Sequence, residues 1–240
     1  MSTLLAFDTA TEHMSVALRV DGQVWTHEGP GGALASAGLI PAILDMLTRA
    51  GIALRDVDAI AFGRGPGAFT GLRTACSVAQ GLAFGAGKPV LPIDTLLAVA
   101  EDARDGAAET TTWVAMDARM NEIYAACYRF HGGHWQVLDA PTLMTPDALN
   151  EHWRVEAPQS IAGTALAAFG ARLQVGDATL RPHALPRAAA MLPLAQALWD
   201  SGGAVDAALA LPLYLRDKVA QTTLERESAR ALKAAVGVAS

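Results

Sequence analysis

The residues best placed for chemistry are an acid and two small hydroxyls, in the run Asp8-Thr9-Ala10-Thr11 that follows a short apolar stretch. An acid at the end of a first strand, with hydroxyl residues in the turn after it, can approach a nucleotide phosphate and its Mg²⁺. A second candidate is the run Gly63-Arg64-Gly65-Pro66-Gly67-Ala68-Phe69-Thr70-Gly71-Leu72-Arg73. Between a strand and a helix, such a loop offers backbone N–H groups and a helix dipole to an anion, with Gly65, Gly67 and Arg73 as contacts. Its details fit neither common nucleotide motif. A phosphate loop needs Gly-Lys-Ser/Thr, whereas Gly71 is followed by Leu72-Arg73. The dinucleotide fingerprint fails because Gly67 is followed by one residue too many before Gly71. The favoured reading is a tight turn that uses glycine for positive φ and close helix–strand packing.

Other constellations are weaker. His131 and His134 flank Gly132-Gly133 in a turn, with no helix to present both rings to one ion, and read as a polar turn. Cys76 and Cys127 form no C-x-x-C motif and read as small buried hydrophobes of a reducing compartment, with one disulfide still open on sequence alone. No G-x-S-x-G marks a nucleophilic serine.

The elements that must position the acid repeat along the chain. Strands over 4–7, 15–20 and 23–27, joined by tight turns at Asp8-Thr9-Ala10-Thr11 and Asp21-Gly22, predict an antiparallel meander. A helix over 34–50 is stopped by Gly51, a buried strand covers 58–62, and a helix over 70–86 follows the glycine run. Strand 88–93 and helix 95–104 complete the unit. Trp113-Val114-Ala115-Met116-Asp117 then resembles Leu4-Leu5-Ala6-Phe7-Asp8, and 122–130, the turn 131–134 and 135–138 repeat the meander. Thr145 and Pro146 suit the N-cap and first position of a further helix. An internal duplication is expected, against two unrelated hairpins. Its second acid, Asp117, lacks the hydroxyls, and Ile161-Ala162-Gly163-Thr164-Ala165 is a weak second glycine loop, so an inherited cleft looks eroded. The expected division is a first lobe over 1–105, a second over 106–216 and a tail over 217–240.

The 240 residues are 52% hydrophobic and 18% charged, enough for a sizeable core. A net charge of -6 argues against a surface that grips nucleic acid unaided. The N-terminal run has no basic region before Asp8, and no apolar run approaches the ~20 residues of a membrane span, so a cytoplasmic protein is expected. Two helices are apolar over too much of their circumference for one core-facing stripe. Helix 34–50 carries Leu39, Ile43, Met46 and Leu47; helix 71–86 carries Leu72, Ala75, Val78, Ala79 and Leu82, with Arg73 its only charge. Such helices are either sandwiched in the core or lend a face to another chain.

Four stretches in order resemble the TsaB (YeaZ) family: Phe7-Asp8-Thr9-Ala10-Thr11, the run from Ala61 through the glycine loop to Arg73, Met116-Asp117-Ala118-Arg119-Met120-Asn121-Glu122-Ile123-Tyr124, and Pro212-Leu213-Tyr214-Leu215-Arg216. The resemblance implies an α/β, actin/Hsp70-like (ASKHA) fold of duplicated ribonuclease H-like lobes. It implies a partner without catalysis of its own, required with a TsaD-type catalytic subunit and a TsaE-type ATPase for threonylcarbamoyl transfer to adenosine 37 of tRNAs reading ANN codons. It further implies no cofactor on this chain, ATP and Mg²⁺ used by the complex, tRNA met only through the complex, and a homodimer in isolation. Partner contact would run through the first-lobe helices, at the nine residues named above. The catalytic paralogue holds a metal with a His-x-x-x-His pair, where this chain has Thr95 and Val99. A charged stretch frequent in the family before the first helix is here Ala33-Leu34-Ala35-Ser36-Ala37, which leaves partner affinity to apolar packing. The alternative is an independent small ATPase or kinase using Asp8, Thr9, Thr11 and the glycine loop.

Overall fold

A computed structural model describes residues 2–216. Alternating apolar runs build two five-stranded sheets. In the first, β1 (Leu4–Asp8) pairs antiparallel with β2 (His13–Val20), which pairs with β3 (Gln23–Pro30); β4 (Ala59–Gly65) and β5 (Val90–Asp94) extend it in parallel, giving the order β3-β2-β1-β4-β5. In the second, β6 (Thr110–Asp117), β7 (Ile123–His131) and β8 (His134–Met144) form the meander, and β9 (Ser160–Ala162) and β10 (Thr179–Arg181) extend it, in the order β10-β9-β6-β7-β8. Matched element by element, the two orders are the same. The duplication read from Asp8 and Asp117 is therefore a duplication of topology, in two ribonuclease H-like lobes of an actin/Hsp70-like fold.

Helices fill the faces. α1 (Ala35–Ala50) ends where Gly51 takes a left-handed φ of 71°, and α2 (Phe69–Ala86) ends at Gly87 with φ of 64°, each glycine closing its helix with backbone bonds to the last turn. Both helices bury one side against the first sheet, where Leu39, Ile43, Met46 and Ala75 meet Phe7, Val16, Ile60 and Phe62. The opposite face of that sheet is covered by α6 (Ala188–Asp200), whose Met191, Leu192 and Ala195 pack on Leu4, Ala6, Ala61 and Leu91. α3 (Thr95–Arg104) lies between the sheets, with Ala98 in that cluster and Leu96, Val99 and Ala100 against Val114, Tyr124 and Tyr128 of the second sheet. α4 (Pro146–Val155) is N-capped by Thr145, which accepts from the Ala148 amide at 3.2 Å, and covers the outer face of the second sheet with Leu149 and Trp153. α5 (Ala165–Phe169) is a short neighbour on the same face.

A boundary at 105/106 separates the sheets but not the cores. Helix α6 packs on the first sheet's second face beside Ala98 of α3, while Val205, Ala207 and Ala210 beyond it pack on the face that α1 and α2 cover. The segment 217–240 lies outside the described residues. No helix among the described residues is long and apolar enough to cross a membrane.

Candidate functional site

Strand β1 delivers Asp8 to the start of the β1–β2 turn, and β4 delivers the glycine-rich loop beside it. Glycine is required here by contact. A Cβ on Gly63 would stand 1.7 Å from Asp8 Oδ2, one on Gly67 2.6 Å from Ala10 Cβ, and one on Gly71 1.9 Å from the carbonyl oxygen of Thr9. Three glycines spaced by four let one turn lie flat on the loop and helix start. The packing reading of the glycine loop is the one the geometry supports.

The acid is sealed beneath that contact. Asp8 and Thr9 have no accessible surface. Asp8 Oδ1 accepts from the Ala10 amide at 2.7 Å, and Oδ2 accepts from the Thr95 hydroxyl at 2.9 Å, while Thr95 Oγ1 accepts from the Gly65 amide at 3.2 Å. Burial pushes the Asp8 carboxyl up to about 6, against the lowering pull of those two donors. Thr9 donates to the Gly71 carbonyl at 2.7 Å. Thr11 sits higher in the turn, where its hydroxyl donates to the His13 carbonyl at 3.2 Å. Gly65 is buried with φ of 113°. Arg73 points away from this corner: its guanidinium lies 3.8 Å over the Phe69 ring and donates to the Tyr214 hydroxyl at 3.3 Å. Of the six residues expected to touch a phosphate, only Thr11 and Gly67 line the cleft between the lobes.

That cleft has a volume of 610 Å³. Its walls are mostly apolar, with Pro66, Phe69 and Leu72 facing Met116, Met120 and Ala168, and residues 213–216 along one side. The charged groups at its lip pair with each other, Arg119 with Glu12 at 3.0 Å and with Asp117 at 3.3 Å, and Arg216 with Glu122. A polyphosphate entering here would meet the carboxylates of Glu12 and Asp117 and cations already partnered.

The comparisons agree with the motifs. A family model described as "TsaD: tRNA N6-adenosine threonylcarbamoyltransferase" matches residues 35–224. The chain is 37% identical to the Escherichia coli (strain K12) "tRNA threonylcarbamoyladenosine biosynthesis protein TsaB", over 90% of this chain and 96% of that protein. This chain belongs to the TsaB (YeaZ) family. The Haemophilus influenzae TsaB is also 37% identical, over 90% of this chain and 94% of its own length. The solved structure of "YeaZ from Pseudomonas aeruginosa" superposes with a TM-score of 0.82 at 40% identity, covering 90% of this chain and all of that one.

Within this TsaB-family chain, the residues singled out on the first-lobe helices divide sharply. Leu39, Ile43, Met46 and Leu47 of α1 and Leu72, Ala75 and Ala79 of α2 are between 0% and 4% exposed, and form the core under the helices. They are unavailable to a partner, because both helices must bury one stripe on the sheet. Val78 and Leu82 are half-buried at its margin. The outward apolar side chains are different ones: Ile40 at 42%, Leu44 at 52% and Phe84 at 86% exposed. Ser77, Gly81 and Gly85 stand with Phe84 on the solvent side of α2. The sequence signal for this was present in the i, i+3, i+4 phase of each helix, which assigns Ile43 and Leu47 to one side and Leu44 to the other. Thr95 and Val99 are also buried, Thr95 holding Asp8 and Val99 in the core.

Proposed function

We propose that this chain is a non-catalytic partner subunit of a TsaD-type threonylcarbamoyltransferase, in the cytosolic formation of threonylcarbamoyladenosine at adenosine 37 of tRNAs reading ANN codons. The chain takes part in tRNA threonylcarbamoyladenosine biosynthesis as a TsaB-family protein. The observation that carries the partner role is the outer face of α1 and α2, where Ile40, Leu44 and Phe84 are exposed beside glycines that serve no internal contact. A Cβ on Gly81 or Gly85 would meet nothing within 4 Å, so these residues leave the helix face flat for another surface. The same face serves a homodimer when the catalytic subunit is absent. A TsaE-type ATPase joins the complex, which uses ATP and Mg²⁺ and through which the tRNA is met.

The alternative, a small ATPase working through Asp8, is disfavoured by geometry. The carboxylate has no surface at which a hydrated Mg²⁺ could meet it, and both its oxygens already accept hydrogen bonds. The deciding experiment is reconstitution. Purified chain alone is expected to leave tRNA unmodified by mass spectrometry, and to support modification when a TsaD-type subunit, a TsaE-type ATPase, ATP, Mg²⁺ and a threonylcarbamoyl donor are added. Modification at the same rate with this chain omitted would refute the role. Mg²⁺-dependent ATP hydrolysis by the chain alone, abolished by Asp8→Asn, would favour the alternative.

A further inference from the structure

The chain crosses the mouth of its own cleft. Gln80 Nε2 donates to the Ala210 carbonyl at 3.1 Å, and the Leu213 amide donates to the Arg64 carbonyl at 2.7 Å. The Tyr214 ring stands 5.4 Å from that of Phe69 and its hydroxyl accepts from Arg73. All of these anchors belong to the first lobe. One residue later Leu215 packs on the cluster between α3 and the second sheet. Arg216 Nη2 then donates to the carbonyls of Ala118 at 3.1 Å and Arg119 at 3.4 Å, and pairs with the Glu122 carboxylate.

The turn that Arg216 grips is under strain. Arg119, Met120 and Asn121 have φ values of 60°, 55° and 63°, three consecutive left-handed residues that each carry a Cβ. L-residues adopt such a run only where surrounding contacts impose it. Glu12 reaches the turn through Arg119, but both side chains are at least 70% exposed, where ion pairs contribute little. Arg172 Nη1 donates to Asn121 Oδ1 at 2.6 Å from within the second lobe. Inside the turn the Asp117 carboxylate accepts from the Arg119 amide at 2.8 Å, and the Ala118 and Glu122 amides donate to the Glu122 and Arg119 carbonyls. Arg216, 17% exposed, adds a grip from outside it by donating to the Ala118 and Arg119 carbonyls.

We propose that residues 213–216 are a built-in latch that fixes the gap between the glycine-rich loop and the 117–122 turn, with Arg216 closing it, so that the two lobes hold one relative position without a ligand in the cleft. Together with α3, which packs on both sheets, this strap ties the two lobes. This inference is independent of the partner role.

The test measures lobe separation directly. Val24→Cys and Val137→Cys place spin labels on exposed strands of the first and second sheets, at 50% and 52% exposure. Native Cys76 and Cys127 are buried, with thiols pushed up to about 11 and about 12 by burial, and do not compete for the label. The doubly labelled protein is expected to show one narrow distance distribution, unchanged by millimolar Mg-ATP. Arg216→Ala is expected to broaden it toward longer distances and to speed hydrogen exchange of the Ala118 and Glu122 amides by roughly tenfold or more. Glu122→Ala, which keeps the carbonyl acceptors, should fall between, and it decides the matter if Arg216→Ala does not fold. A variant that folds with unaltered distances and exchange overturns the proposal, as does a wild-type distribution that shifts with Mg-ATP.

Discussion

The hydroxyl of Thr95 donates to the Asp8 carboxylate at 2.9 Å in a corner with no solvent, joining the first turn of α3 to the end of β1. Two neutral donors are poor compensation for a buried charge, and the carboxyl is pushed up to about 6 from an ordinary 3.8. The folded state therefore holds this proton more tightly than the unfolded chain does. The cost of ionising Asp8 is absent below pH ~4, grows as pH rises toward 6 and is complete above it. Asp8→Asn keeps an acceptor for Ala10 and removes the charge. It is expected to be more stable than the parent at pH 7 by on the order of 2 kcal/mol, with the difference vanishing near pH 4. Urea unfolding of both proteins across pH 4–8 checks this. A less stable Asp8→Asn at pH 7 would mean that the charge is held by contacts other than these.

Gly71 and Gly81 lie on the same helix and should respond oppositely to a methyl group. At Gly71 the Cβ would fall 1.9 Å from the Thr9 carbonyl oxygen, a backbone atom held by the β1–β2 turn. Gly71→Ala is expected to cost about 3 kcal/mol or more, since the turn carrying Asp8 must move. At Gly81 the Cβ meets nothing within 4 Å, so Gly81→Ala gains helix propensity and should stabilise the isolated chain by about 1 kcal/mol. Denaturant midpoints separate the two. If the outer face of α2 is a docking surface, Gly81→Ala also weakens partner capture while raising stability.

The thiols offer an independent check on the packing. Cys76 faces the core under α2 and Cys127 lies in the outer cluster of the second lobe. Burial raises both, to about 11 and about 12, so little thiolate forms at pH 8. Native protein is expected to react with a disulfide reagent at the rate of global opening, and to release two equivalents at once in guanidinium. Fast reaction of either thiol in the native state would contradict its placement.

The architecture was legible because strand, turn and helix signals are local, and the Asp8 and Asp117 runs repeat them in order. The helix stops at Gly51 and Gly87 and the cap at Thr145 follow from the same local chemistry. Two things were not legible. The glycine run already read better as a close-packed turn than as an anion loop, but its spacing does not reveal that Asp8, Ala10 and Thr9 occupy the space above Gly63, Gly67 and Gly71; that contact joins residues some sixty positions apart. The helix faces were misassigned for another reason. On α2 Arg73 is the only charge, so little marks its outside; on α1 the exposed Asp45, Thr48 and Arg49 do mark it, and the helical phase that places Leu44 with them and Ile43 on the sheet side was not used.

That phase sets the sharpest test of the interface. Ile43 has no accessible surface and sits among Phe7, Val16 and Ile60, whereas its neighbour Leu44 is 52% exposed. Ile43→Asp buries an unpaired charge and is expected to unfold the protein, which says nothing about a partner. Leu44→Asp and Phe84→Asp put the charge in water, so each should change the stability of the isolated chain by less than about 0.5 kcal/mol. On a docked face the same charge is desolvated without a counter-ion, and capture of a TsaD-type subunit should fall by roughly tenfold or more for each substitution. Surface plasmon resonance against that subunit, with thermal unfolding as the control, reads both quantities. Full-strength binding by the stable Leu44→Asp, Phe84→Asp double variant would move the docking surface off α1 and α2 altogether.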